Sequence, residues 1–206
     1  MAAVITGDIV NSMSLPAQGM KKLISQLDQI FSGFPHEFFR GDSFQAYLED
    51  AGLALSLAMQ CRACAIRMRQ EESEVKVDVR LSIGLGAVEN PIEELATARG
   101  EAFLLSGRAL DGLTNTGGQI VFAIENKLSS LALGVMADYI NSIFTQMTSR
   151  QAEVIFELLS GMNQQEVAEK LKKSKSTISQ HVAAGRWDEL EKTIRNFKEM
   201  VQLISI

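Results

Sequence analysis

Between Thr148 and Ser174 the sequence writes three helix starts in close succession, and their spacing leaves this stretch little choice of local fold. Thr148-Ser149-Arg150-Gln151 has the T-x-x-Q form of a capping box, in which the hydroxyl and the amide side chain each satisfy a free backbone N–H. Val154, Ile155, Leu158 and Leu159 share one face of the helix that follows, and Gly161 is placed to end it. Asn163-Gln164-Gln165-Glu166 repeats the box and opens a short helix with Val167, Ala168 and Leu171 inward. Ser174 caps a third helix carrying Ile178 and Val182 on its inner face. Two capped helices a few residues apart are the helix-turn-helix arrangement.

In that arrangement the second helix enters the major groove of DNA with its N-terminal residues toward base edges. Here those residues are Lys175, Ser176, Thr177, Ser179 and Gln180, donors and acceptors of suitable reach. Lys172 and Lys173 in the turn suit phosphates, which position a protein without specifying sequence. Net charge over the whole chain is -5, but it is unevenly spread. Residues 1 to 149 carry 11 basic and 17 acidic side chains, and residues 150 to 206 carry 9 and 8. Lys170, Lys172, Lys173, Lys175 and Arg186 fall in a stretch free of acid, the local footprint that a phosphate backbone attracts. The competing reading of the segment is a small helical bundle for protein contacts, with His181 packed within it.

The run MTSRQAEVIFELLSGMNQQEVAEKLKKSKSTISQHV resembles the four-helical DNA-binding modules of response regulators and of sigma-factor region 4. These share a capped first helix, an E-[VI]-A-x-x-L helix and an S-x-[ST]-[TS]-[VI] start. The resemblance implies double-stranded DNA as a partner.

Beyond Arg186, Trp187, Leu190, Ile194, Phe197, Val201 and Ile204 recur at steps of three and four. That is a heptad seam, which either pairs with a second chain or folds back on this one. Leu128, Leu131, Val135, Met136, Tyr139, Ile140 and Ile143 repeat at helical spacing, so residues 125–146 are expected to form a linking helix between a domain at 1–124 and one at 147–206.

In the first domain, Ala3 to Thr6 reads as a buried strand and Lys21 to Phe31 as an amphipathic helix. Glu37–Arg40 and Phe44–Leu48 flank Gly41-Asp42-Ser43 as a hairpin, and a helix from Ala51 to Arg69 follows. Val75, Val77, Val79, Leu81, Ile83 and Leu85 alternate with polar residues or glycine, the pattern of a half-buried strand. Strand, helix, strand, strand, helix, strand is the ferredoxin-like order. The expected fold class is therefore α+β, a ferredoxin-like N-terminal domain with an all-α C-terminal one. In that topology Asp8 and Asp42 converge at one sheet edge, and the usual reason to hold two carboxylates together is a divalent cation. The alternative is that both are turn residues.

Asp8-Ile9 and Gly41-Asp42 are similar to the metal-aspartate motifs of the class III nucleotide cyclases, D-I-x-[GS] and a G-D hairpin. Val79 to Val88 (VRLSIGLGAV) looks like that family's R-x-G-I-x-x-G-x-V strand, and Gly100 to Arg108 like its G-D-x-V-N-x-A-x-R helix. Gly118-Gln119-Ile120-Val121 resembles the strand closing the family core. The resemblance implies Mg²⁺ held by Asp8 and Asp42, and Arg108 steadying phosphates from a second chain in a homodimer. It also implies two losses, since Leu104 stands where the family has a transition-state asparagine and Phe38 where it has a base-reading lysine. Cyclisation is therefore not expected, although binding of a nucleotide or other phosphate-bearing ligand is. The opening Gly7-Asp8-Ile9-Val10-Asn11-Ser12, with the domain order, is similar to the SatD-like group of bacterial proteins, which join a cyclase-like domain to a C-terminal helix-turn-helix.

Composition narrows the field. Cys61 and Cys64 form a lone C-x-x-C, and with only His36 and His181 as histidines neither a four-ligand zinc site nor a Ser-His or Cys-His nucleophile is expected. The N-terminal sequence lacks the basic leader of a signal peptide, and no apolar run approaches the roughly 20 residues that span a bilayer. These features imply a cytoplasmic protein. The expected function is a DNA-binding transcriptional regulator whose degenerate cyclase-like domain dimerises or senses a metal or phosphate ligand. The alternative is a Mg²⁺-dependent enzyme acting on a nucleotide phosphate.

Overall fold

The computed structural model describes residues 1–69, 76–89, 92, 94–113 and 118–204. Five strands form one mixed sheet, and eight α-helices accompany it among the described residues. In chain order they are β1 (Ala2–Val10), α1 (Ala17–Phe31), β2 (His36–Phe39), β3 (Ser43–Leu48), α2 (Ala54–Ile66), β4 (Asp78–Gly86), α3 (Glu101–Leu113) and β5 (Ile120–Ala123). The helices α4 (Lys127–Gln146), α5 (Ser149–Leu159), α6 (Gln164–Leu171), α7 (Lys175–Ala184) and α8 (Trp187–Ile204) complete the chain.

The sheet order is β2-β3-β1-β4-β5. β1 runs antiparallel to both β3 and β4, β2 is antiparallel to β3, and β5 joins β4 in parallel. The first four strands with α1 and α2 thus have ferredoxin-like connectivity, and α3 carries the chain over to β5. Strand alternation divides the faces. Ala3, Ile5 and Ile9 of β1, with Val79, Leu81, Ile83 and Leu85 of β4, are buried in the main core with Leu23, Leu27 and Phe31 of α1. The opposite face carries Val4, Thr6 and Asp8 against Gly84, Ser82 and Arg80. α3 lies close on that face, because a Cβ at Gly84 would sit 2.2 Å from the Ala102 carbonyl oxygen. Only glycine admits that approach.

Several boundaries differ from those expected. β1 continues past Thr6 to Val10, because it is paired on both sides as far as Asp8. Asp8 is therefore a strand residue and not one beyond a strand end. The expected helix from Ala51 begins as a 3-10 turn, Ala51–Leu53, capped by Asp50 accepting from the Gly52 N–H at 2.9 Å. β4 is described from Asp78, and Val75 of the expected strand lies outside the described residues. Arg40 and Gly41 turn the hairpin at φ 55° and 87°.

The α-helical half rests on the sheet domain's helices. α5 packs on α2, and the apolar cluster that includes Ile5 and Leu55 continues through Ile155, Ile178 and Phe197. α8 folds back: Leu190 and Phe197 are fully buried, and the Phe197 ring stacks on Phe122 of β5 with centroids 5.2 Å apart. The heptad seam is thus filled within this chain. No helix among the described residues is long and apolar enough to cross a membrane.

Candidate functional site

The three caps read from the sequence of the C-terminal half form as their side chains dictate. The Thr148–Gln151 and Asn163–Glu166 boxes close in both directions, and Ser174 Oγ accepts from the Thr177 N–H at 3.1 Å. α5 ends at Gly161, φ 91°, and the turn between α6 and α7 bends at Lys172, φ 52°. Ile178 and Val182 are buried on the inner side of α7. A Cβ at Gly185 would lie 3.0 Å from the Ile155 side chain, so α7 sits hard on α5.

Lys172, Lys173, Lys175, Ser176, Ser179 and Gln180 are all exposed, and Thr177 is half-buried. They form one polar, basic surface at the turn and the start of α7. Lys175 reaches Gln165 Oε1 at 3.3 Å, and Thr177 Oγ1 lies 2.8 Å from Ser174 Oγ. Two basic residues of the sequence footprint stand apart. Lys170 Nζ pairs with Glu157 at 2.7 Å, a carboxylate only 5% exposed that also faces Arg67, the C-cap of α2, at 3.6 Å. Arg186 donates through Nε to Glu189 at 2.9 Å and through Nη2 to Tyr139 at 3.1 Å, so its charge is engaged where α4 meets α8. The same guanidinium holds Glu189 below the usual carboxylate range.

At the sheet, Asp8 of β1 is flanked on one side by the hairpin that carries Asp42 and on the other by Arg80 of β4. Arg80 is the register partner of Asp8 on β4, and it donates Nε and Nη2 to the two Asp8 carboxylate oxygens at 2.8 and 2.7 Å. Hydrogen bonding to Asp8, with the nearby charge of Asp42, raises the Arg80 pKa. Asp42 accepts from Ser12 Oγ at 3.1 Å, and its carbonyl takes the Ile9 N–H at 3.0 Å. Each Asp8 oxygen accepts one hydrogen bond from Arg80, so a guanidinium already sets a positive charge beside this carboxylate, and a divalent cation at Asp8 would compete with it. The strand pairing is what the sequence reading missed: Arg80 lies in the Val79–Val88 stretch, but facing Asp8 depends on β1–β4 register.

Arg108 is exposed on α3 and is not part of this cluster. Leu104, one turn earlier and 53% exposed, lines an open cleft of about 830 Å³ with Phe103, Gln45, Glu37 and Phe39. Phe38 does not face the cleft. It packs on Phe44, centroids 5.5 Å apart, against the core, while its neighbours Glu37 and Phe39 line the cleft. Glu37, Glu89 and Glu101 set three carboxylates in the lining against the guanidinium of Arg99.

Cys61 and Cys64 are free and buried in α2, and burial pushes both thiols up. No group of three or more His, Cys, Asp or Glu able to hold a metal assembles among the described residues.

No protein-family model matches the chain, and no curated protein matches it. Among solved structures it is similar to a bacterial light-regulated adenylyl cyclase, at 16% identity and TM-score 0.41, over 59% of this chain and 74% of that one. It is also similar to the active GGEEF domain of a diguanylate cyclase from Vibrio cholerae, at 17% identity and TM-score 0.43, over 61% of this chain and 83% of that one.

Proposed function

We propose that this chain is a DNA-binding transcriptional regulator in which α6, its turn and α7 form a helix-turn-helix, and in which the cyclase-like domain has kept its frame without turnover. The observation that carries the reading is the surface at the start of α7. Lys172, Lys173, Lys175, Ser176, Ser179 and Gln180 are exposed together, on helices fixed by reciprocal caps. Side chains of this kind reach base edges and phosphates when the helix lies in a major groove. Ile178 and Val182 set which face is free by anchoring the other. The module is the segment 147–206, joined through residues 125–146 to the cyclase-like segment 1–124, and two chains would read two half-sites.

For the first domain, two features argue against turnover of a nucleotide and a third supplies a charge for a phosphate group. Arg80 occupies both oxygens of Asp8. Leu104 presents no hydrogen bond to the cleft, whose acidic lining opposes a polyphosphate. Arg108 remains exposed and available to a phosphate group or a partner chain. The enzyme reading, with Mg²⁺ at Asp8 and Asp42, would require the Asp8–Arg80 pair to open.

The test is retention of genomic fragments by the full-length chain, compared with a Gln180→Ala variant. The expected result is a bound fragment set whose sequence preference shifts in the variant, by about 1 to 3 kcal/mol at the affected base. Identical preferences, or no retained fragment at low salt, would contradict it. Incubation with ATP or GTP should yield no cyclic nucleotide or pyrophosphate above a no-protein control.

A further inference from the structure

α4 buries one face and leaves an apolar one in water. Leu133, Ala137, Ile140, Ile143 and Phe144 are buried against the protein. Leu128, Leu131 and Val135 are 78%, 72% and 72% exposed, and Tyr139 is 39% exposed on the same side. Their steps of three, four and four place them on one stripe of a helix. A contiguous apolar stripe of this length is the mark of an interaction site, since isolated exposed hydrophobes need no such alignment.

The charges say what lies on the stripe. Lys127 and Asp138 are the only charged residues of this 20-residue helix, and both are exposed. A parallel pair of α4 helices would set lysine beside lysine and aspartate beside aspartate. An antiparallel pair related by a two-fold axis near residue 133 sets Lys127 of each copy beside Asp138 of the other. The same axis sets Leu131 opposite Val135 and Leu128 opposite the Asp138–Tyr139 end. One operation thus satisfies both the apolar and the charged residues, as an isologous interface requires. Beside the stripe, Val135, Met136 and Tyr139 of α4 and Thr193 of α8 border a groove of about 470 Å³, into which Leu128 of the second copy would fit.

We propose that α4 is the dimer interface of this protein and that a second copy of the chain covers it, antiparallel. The proposal deepens the regulator reading, because Tyr139 at the end of the stripe also meets Arg186 at the base of α8, next to α7. Pairing through α4 would therefore fix the spacing of two α7 helices.

Sedimentation equilibrium of the full-length chain at tens of micromolar tests it. The wild type should be a dimer, and Leu131→Glu should be monomeric at the same concentration with an unchanged far-ultraviolet circular dichroism spectrum, since the residue is exposed in one chain. Lys127→Glu should weaken association, and Lys127→Glu combined with Asp138→Lys should restore it. The buried Cys61 and Cys64 leave engineered thiols unobscured, so orientation can be read directly. A mixture of Leu131→Cys and Val135→Cys chains should oxidise to the mixed disulfide in preference to either homodimer. A monomeric wild type overturns the proposal, as does a dimer that survives Leu131→Glu but is lost with Leu104→Glu on the cyclase-like face. A monomer that still retains DNA would overturn the interface alone, and a dimer of this kind that retains none would overturn the regulator reading alone.

Discussion

Arg80 and Asp8 face each other from adjacent antiparallel strands, joined by two hydrogen bonds of 2.8 and 2.7 Å, at the place where two carboxylates would otherwise repel. The Asp8 carboxylate thus has a positive partner from the same sheet, with which a cation would have to compete. Mg²⁺ or Mn²⁺ is accordingly expected to leave the melting temperature of the wild type unchanged. Arg80→Gln should cost about 1 to 2 kcal/mol, less than a fully buried pair because both side chains are partly exposed. In that variant a divalent cation should raise the melting temperature. A metal-dependent rise in the wild type, lost in Asp42→Asn, would show that the aspartates still bind metal.

Ser82 lies on the sheet face beneath α3, and its hydroxyl is buried without a hydrogen-bond partner. Leaving such a group unpaired costs about 1 to 3 kcal/mol. Ser82→Ala removes the cost with little loss of volume, and the urea midpoint should rise. A fall would mean that the hydroxyl is satisfied in solution.

Glu157 of α5 ties α6 to the end of α2, since it accepts from Lys170 of α6 and faces Arg67, the C-cap of α2, while only 5% exposed. Glu157→Ala should destabilise by about 1 to 2 kcal/mol, discounted because Lys170 is 46% exposed and is solvated once its partner is gone. Lys170→Ala should cost about 1 kcal/mol, since the buried carboxylate keeps Arg67 at 3.6 Å. Urea denaturation of both variants checks this.

Burial raises the pKa of Cys61 well above its ordinary value and that of Cys64 less far. The unfolded chain releases these protons near pH 8.5, while the folded chain holds them longer. Their contribution to stability is therefore complete below about pH 8.5 and is lost as the pH rises through the folded values. The urea midpoint should fall more steeply between pH 7 and pH 10 in the wild type than in Cys61→Ala/Cys64→Ala. Both thiols should also resist alkylation at pH 8 until the protein unfolds.

The features legible in the sequence are those set by near neighbours. Thr148, Asn163 and Ser174 cap their own helices three residues on, so nothing distant was needed to find them. The alternation from Val77 to Leu85 marks a strand by itself, and the βαββαβ order follows from element type. What was not legible depends on register and on packing between distant segments. Asp8–Arg80 is separated by 72 residues, and Glu157 reads as a surface acid on a helix until α2 is laid beside it. The resemblance aligns Phe38 with a base-reading lysine, and only strand alternation shows that its ring packs on Phe44 toward the core. α8 could fold back or pair outward by its seam alone, and the stack of Phe197 on Phe122 decides between them.

The central claim is that the start of α7 and the turn before it bind DNA. The most direct measurement is the salt dependence of DNA affinity for the full-length wild type and for Lys172→Ala/Lys173→Ala. If both lysines neutralise phosphates, log affinity should fall linearly with log salt. The double variant should bind all sequences more weakly, with a slope shallower by about 2. Retention of DNA that is independent of salt and equal in the two proteins, or no retention by the wild type at low salt, would contradict the account.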